Sequence, residues 1–389
     1  MKIGIDKIGF YIPQYYVDMN KLAEARGVEP EKLTIGIGQE KMAIAPITQD
    51  PVTLAANAAL QILDDESLEK IDFVMFGTES GIDQSKSAGV YVHQLLGLRP
   101  DARTIEMKQA CYGATAAIQL AKGHIALNPE SKVLVLASDI ARYGLHTAGE
   151  VTQGAGAVAL IISANPRIMA LDDISAYLTK DIMDFWRPTY SDVAFVDGKF
   201  SNEQYLAFFG QVWKEYKEKS GLSIADFEAI CYHLPYTKIG LKALRTILEE
   251  GSTDVQEKLK DNYHISTLYG RKVGNIYTAS LYLSLLSLLD QKELEAGARI
   301  GLFSYGSGAV GEFFSGILQS NYRDFLKIDH HTNLFNNRTE LSVSKYEMVF
   351  EESLPTDGSS VDVDTTNDPA PICLTGINEH MRQYTNKNK

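Results

Sequence analysis

Cysteine, positive charge and long apolar runs are all scarce in this chain of 389 residues. The three cysteines, Cys111, Cys231 and Cys373, are too few and of the wrong parity for a disulfide framework, which fits a reducing compartment. There is no CxxC, and no two histidines stand four apart around a glutamate, so no zinc motif is supported. Lys+Arg number 37 against 50 Asp+Glu, a formal net charge of −13, which is not the electrostatic footprint of a nucleic-acid binder. The longest uncharged runs, Val151–Pro166 and Val273–Leu289, are interrupted by polar residues. Both fall short of the ~20 apolar residues that cross a membrane. The start, MKIGIDKIGFYIP, has neither a signal peptide's apolar centre nor an Arg/Ser-rich transit composition. These absences predict a soluble cytoplasmic protein with no metal, nucleic-acid or membrane partner.

Apolar strand-like runs alternate with periodic helical segments, which predicts α/β layers. The runs IDFVMFG (71–77), KVLVLAS (132–138) and GAGAVALIIS (154–163) read as strands, and ACYGATAAIQLAK (110–122) as a buried helix. The second half repeats the order with FEAICYH (227–233), NIYTASLYLSLLSLL (275–289) and RIGLFS (299–304). Gly77 to His233 is 156 residues, Cys111 to Asn275 is 164, and Ser138 to Ser304 is 166. Three landmarks at nearly one offset predict a topographic repeat. Between the halves, Asp181–Phe209 reads as a loop-rich insertion leading into a helix over 202–219. The segments 357–369, 383–389 and His330-His331 read as a turn-rich loop, a frayed end and an exposed loop.

Cys111 is predicted to open its helix, where the dipole favours thiolate. The competing reading is an inert buried thiol. Cys231 and Cys373, both inside apolar strands, read as structural. His233 and Glu79 lie at strand ends, where sites collect in α/β folds. Each alone reads more readily as a structural histidine or a solvated turn carboxylate. The repeat brings Glu79 and His233 to equivalent strand ends and Cys111 and Asn275 to equivalent helix starts. Thiol, carboxylate and imidazole then form an acyl-transfer set. SYGSGAVG (304–311) matches G-x-G-x-x-G, but a helix expected over 312–319 and the lack of a partner acid argue against a dinucleotide loop. Its backbone N–H groups are expected to point at the Cys111 thiol as oxyanion donors. Lys238 and Lys242, four apart on one helix face, read as a phosphate contact or a solvated face.

QACYGATAA, VLVLASDIARY, DFWRPTYSDVAFVDGKFS, CYHLPY, GNIYTASLYLSL and SYGSG together resemble the 3-hydroxy-3-methylglutaryl-CoA synthase family, in its bacterial form, across residues 2–380. The resemblance implies a thiolase-like fold: two pseudo-repeated halves, 1–166 and 167–389, in a five-layer α-β-α-β-α sandwich, usually a homodimer. The second half would carry the inserted loop region and a C-terminal extension. It implies condensation of acetyl-CoA with acetoacetyl-CoA, early in the mevalonate route to isoprenoids, with no cofactor. Cys111 matches the nucleophile, Glu79 the acid/base and His233 the residue that polarises acetoacetyl-CoA. Asn275, Tyr143, Tyr305 and Ser307 match positions around the acyl groups, and Lys238 and Lys242 the CoA-binding helix. Asp139 and Asp184 match supporting acids. Ala110 is expected to set how the Cys111 loop moves. The alternatives are a ketoacyl synthase built on Cys111, His233 and Asn275, a Cys–His hydrolase, and a non-catalytic acyl-CoA binder. A degradative thiolase is disfavoured, because SYGSG lacks that class's second thiol.

Overall fold

The computed structural model describes residues Met1–Lys389. Its first half runs β1 (Ile3–Tyr11), α1 (Pro51–Leu60), β2 (Ile71–Gly77), α2 (Ala88–Leu96), β3 (Arg103–Met107), α3 (Gly113–Leu127), β4 (Lys132–Ala141) and β5 (Gly154–Ala164). The second runs β6 (Met169–Thr179), a short hairpin of β7 (Phe185–Trp186) and β8 (Phe195–Val196), α4 (Gly198–Ser220), β9 (Ala229–Tyr232), α5 (Thr237–Arg245), α6 (Thr253–Ser266), α7 (Ser280–Gln291), β10 (Arg299–Gly306) and β11 (Val310–Leu318). The halves meet where β1 pairs with β6 through Gly4–Ala170 and Ile5–Met169. Outward from that seam, the order β1-β5-β4-β2 is matched by β6-β11-β10-β9. The repeat is therefore topological: β2 answers β9, β4 answers β10, and α3 answers α7.

The layers follow from period-two burial along the strands. Val133 and Val135 of β4 share a core with Ala114, Ala117 and Ala121 of α3, Leu285 and Leu288 of α7, and Ile300 and Leu302 of β10. The other face of β4, Leu134 and Leu136, packs with Leu54 of α1 and Val92 of α2. Across the molecule, Ile230 and Tyr232 of β9 pack with Phe208 and Trp213 of α4 and Leu244 of α5. Helix, sheet, helix, sheet, helix is the five-layer arrangement expected.

Four local expectations differ. Residues 312–318 lie in β11, antiparallel to β10 with Glu312 opposite Ser304, because GEFFSGIL is buried on both faces. The Gly-rich segment is thus a hairpin turn. His331 is fully buried in the helix Ile328–Asn336, its Nδ1 2.8 Å from Asp290 and its ring against Phe10. Residues Met381–Asn386 form a strand on Ile372–Asn378, pinned by a 2.7 Å bond from the Tyr384 hydroxyl to Asp50. The nucleophile helix starts at Gly113, so Cys111 sits in the turn before it.

That turn is wedged between two strand ends. A Cβ on Gly77 would stand 2.6 Å from the Ala114 nitrogen. One on Gly306 would stand 2.4 Å from the Gln109 carbonyl oxygen and 2.7 Å from the Tyr112 nitrogen. Both clashes are with backbone, which cannot rotate away. Gly306→Ala is expected to destabilise by about 1–3 kcal/mol. Gly210→Ala, in the interior of α4 with open space at its Cβ, is expected to stabilise by about 0.5–1 kcal/mol. Urea unfolding of both variants checks the contrast.

Candidate active site

Cys111 follows Ala110, a non-glycine residue held in the left-handed region at φ 43°. Such a residue costs about 1–2 kcal/mol and persists where the surroundings fix it. The turn places the half-buried Cys111 thiol 2.9 Å from Glu79 Oε1, to which it donates. Glu79 comes from the loop after β2, so the expected pairing of strand end and helix start is present.

Beneath this pair lies Asp139, on β4 and fully buried. One oxygen accepts from the Thr78 hydroxyl (2.9 Å), the Glu79 N–H (2.7 Å), the Ser80 N–H (3.0 Å) and the Ser80 hydroxyl (2.9 Å). The other accepts from the N–H (3.1 Å) and hydroxyl (2.5 Å) of Thr278, in the second half. Burial pushes the Asp139 carboxyl up, and these donors oppose it by favouring its charge.

Glu79 itself is pushed up to about 8, first by burial and next by the Asp139 charge. The same logic corrects the expected thiolate. Burial, then the facing Glu79 carboxylate, hold the Cys111 thiol well above its ordinary range. The thiol is kept neutral until its proton can pass to Glu79. Here the facing carboxylate outweighs a helix end that begins two residues later.

Asn275 opens the equivalent segment of the second half. Its carbonyl accepts from the Tyr277 N–H (2.9 Å) and the Ser280 hydroxyl (3.0 Å), while its amide donates to the Tyr143 hydroxyl (3.3 Å). Tyr143, Phe185 and Tyr277 stand edge to face around this point, with ring centres 5.9–6.0 Å apart. Tyr305 donates 2.8 Å to the buried Asp184. Asp184 also takes the Gly308 N–H at 2.9 Å and the Ser201 hydroxyl at 3.2 Å. The Gly308 N–H is therefore engaged by Asp184 and not aimed at the thiol as expected. The N–H groups of Cys111 and Ser307 have no backbone acceptor.

His233 stands at the end of β9, nearly fully buried. Its backbone is fixed by the Phe303 carbonyl (2.8 Å) and the Tyr205 hydroxyl (2.7 Å), and its Nδ1 has no partner. Burial lowers the imidazole to about 3, so it is neutral at physiological pH. No hydrogen bond joins it to Cys111, Glu79 or Asn275. Lys238 and Lys242 lie apart on α5. Lys238 lines a pocket of about 170 Å³ with Thr34, Ile35, Tyr263 and Arg271. Lys242 is exposed and donates 3.2 Å to the Tyr236 hydroxyl. Sequence reasoning missed Thr278 and Arg187, whose contacts here depend on chain segments far from Asp139 and Glu79. Beside Glu79 opens a polar cleft of about 850 Å³, lined by Ala110, Phe185, Arg187 and Ser307 among others.

Residues 1–167 match the family model described as hydroxymethylglutaryl-coenzyme A synthase N terminal, and residues 169–264 and 248–355 match its C-terminal counterpart. The chain is 53% identical to the hydroxymethylglutaryl-CoA synthase of Enterococcus faecalis, over 99% of this chain and all of that protein. It is 33% identical to the polyketide biosynthesis 3-hydroxy-3-methylglutaryl-ACP synthase of Bacillus subtilis, over 90% of this chain and 88% of the other. Among solved structures, an HMG-CoA synthase complexed with CoA superposes with TM-score 0.96 at 48% identity, over 99% of this chain and 100% of the other. Another, in complex with 3-hydroxy-3-methylglutaryl coenzyme A, gives 0.89 at 35% identity over 99% of both.

The electrostatics of the pair predict a sign. Glu79→Gln removes the charge that raises the Cys111 thiol, so alkylation by iodoacetamide should speed up by roughly tenfold at pH 9, where Glu79 is ionised. At pH 6.5, where Glu79 is protonated already, the two proteins should differ little. Equal rates at pH 9 would contradict the coupling.

Proposed function

The chain belongs to the hydroxymethylglutaryl-CoA synthase family, and on that premise we propose how its residues divide the reaction. Acetyl-CoA, acetoacetyl-CoA and water give 3-hydroxy-3-methylglutaryl-CoA and CoA, in the mevalonate route to isoprenoids. The observation that carries the division of roles is the 2.9 Å contact between a neutral Cys111 thiol and a carboxyl raised to about 8.

In the first step Glu79, as carboxylate, takes the thiol proton and the Cys111 sulfur attacks the acetyl-CoA carbonyl. The tetrahedral oxyanion is held by the N–H groups of Cys111 and Ser307. CoA leaves as thiol, with the proton returned from Glu79. In the second step the Glu79 carboxylate removes a proton from the methyl of acetyl-Cys111. A base near 8 suits this task, because a catalytic pKa close to the operating pH joins a usable fraction of carboxylate to a stronger driving force for proton transfer. The enolate carbon attacks the ketone carbon of acetoacetyl-CoA. Neutral His233 polarises that carbonyl by hydrogen bonding; with its basicity so depressed, it acts as an imidazole and not as a standing cation. The alkoxide formed takes the proton that Glu79 removed from the methyl, which returns Glu79 to carboxylate. Water then cleaves the Cys111 thioester, releasing the branched six-carbon acyl-CoA and regenerating the thiol. Tyr143, Asn275 and Tyr305 shape the acyl pocket, and Asp139 and Asp184 fix the loops that carry it.

We further read Lys238 and Lys242 as contacts for the CoA phosphates, supported by the α5 pocket that Lys238 lines. The chemistry requires neither metal nor resident cofactor, because thioester and hydrogen bonds supply the activation. No helix is long and apolar enough to cross a membrane, and free thiols accord with a cytoplasmic protein. The outer strand β3 is an open sheet edge with Ile105 exposed. Such an edge favours pairing with a second copy, as a homodimer.

Product mass after mixing acetyl-CoA with and without acetoacetyl-CoA tests the reading. A condensation product other than 3-hydroxy-3-methylglutaryl-CoA would overturn it. Cys111→Ala should take up no labelled acetyl group. Glu79→Ala should still be acetylated, more slowly because solvent must then take the thiol proton, yet lose condensation by at least about 100-fold.

A further inference from the structure

The hairpin β7–β8 reaches across the mouth of the site, rooted at the buried Asp184. Backbone bonds from Asp197 to Asp184 and from Ala194 to Arg142 hold its returning arm. Its outgoing arm is tied over the site by Arg187, whose Nη2 donates to the main-chain carbonyl of Glu79. Arg187 is otherwise exposed, in the wall of the 850 Å³ cleft. Glu79 faces Cys111 on its turn, Asp139 on β4, Asp184 at the hairpin root, Tyr143 after β4 and Tyr277 before α7. Asp139 and Asp184 are acids that disfavour a second negative charge; Arg187 is the cation that favours it. Lys86 and Lys108 line the same cleft, Lys108 beside Glu106.

We propose that Arg187 is a positioning residue of the condensation step: bonded to the Glu79 carbonyl, it fixes the base's loop beneath the hairpin and supplies the positive charge that keeps Glu79 usable as a carboxylate between two acids. This rests on the reading of Glu79 as the base. Arg187 acts through Glu79 and does not itself exchange a proton. The physical need is plain. Burial and two neighbouring acids favour the protonated carboxyl, which cannot take a proton from acetyl-Cys111. A nearby opposite charge favours the ionised carboxyl, and Arg187, seated on the Glu79 loop, acts on Glu79 in that direction. The main-chain bond gives that charge a fixed seat, whereas the carboxylate itself stays free for the substrate.

The test is single-turnover condensation of pre-acetylated enzyme with acetoacetyl-CoA from pH 6 to 10, in wild type, Arg187→Gln and Arg187→Lys. Circular dichroism and thermal unfolding check that each is folded. The rate should rise with pH as Glu79 ionises. In Arg187→Gln the midpoint should move up by about one pH unit, so the rate falls roughly tenfold at pH 7 and recovers by pH 10. Arg187→Lys, which keeps the charge, should restore most of the wild-type midpoint. An unchanged midpoint in Arg187→Gln would overturn the proposal, as would a loss equal at every pH. Failure of the wild-type enzyme to condense would instead remove the reading of Glu79 beneath it.

Discussion

One buried carboxylate fixes the geometry of the site. Asp139 receives six hydrogen bonds, four from residues 78–80 of the first half and two from Thr278 of the second. A charge removed from water costs several kcal/mol unless its lone pairs are satisfied. Hydrogen bonds to charged groups return about 1.5–3 kcal/mol each. Both loops are thereby obliged to present their N–H and hydroxyl groups to the same point, so the base's loop and the acyl pocket of the opposite half are set in one register. The repeat supplies two similar ends of sheet; Asp139 makes them one site.

The same carboxylate has an electrostatic cost, and the site makes use of it. With Asp139 beneath and Asp184 nearby, Glu79 resists ionisation, and the thiol facing it resists even more. Two groups that are both reluctant to be charged face each other across 2.9 Å, each holding its own proton near neutrality. That coupling keeps the nucleophile from standing as an exposed thiolate, and it makes the carboxyl a stronger base than a solvated glutamate. His233 is driven the opposite way by the same burial and remains neutral. The net charge of −13 gives no hint of this, because the charges that matter are the buried Asp139 and Asp184, the half-buried Glu79 and one arginine.

Much of this was legible in the sequence because the fold is duplicated. The offsets between Gly77 and His233, Cys111 and Asn275, and Ser138 and Ser304 come from strands that occupy equivalent places in the sheet order and from the helices α3 and α7 that answer each other. Strands buried on both faces, such as VLVLAS, announce themselves by continuous apolar sequence. What escaped notice depends on contacts distant in the chain. Arg187 meets Glu79 across 108 positions, and nothing in FWRPTYSD marks it out. β11 was misread because GEFFSGIL, buried on both faces, carries no alternation to separate strand from helix. His331 was misplaced because its burial is decided by Phe10 and Asp290. The thiol's environment was misjudged because a local cue, the helix end, was weighed without the carboxylate that folding places against it.

The central claim is that Glu79 is a carboxyl held protonated near neutrality. Infrared pH titration of the wild type minus Glu79→Gln isolates its carbonyl stretch directly. The account predicts that this protonated-carboxyl band persists at pH 7 and is lost with a midpoint near pH 8. A band already gone by about pH 5–6, as for a solvated glutamate, would contradict it.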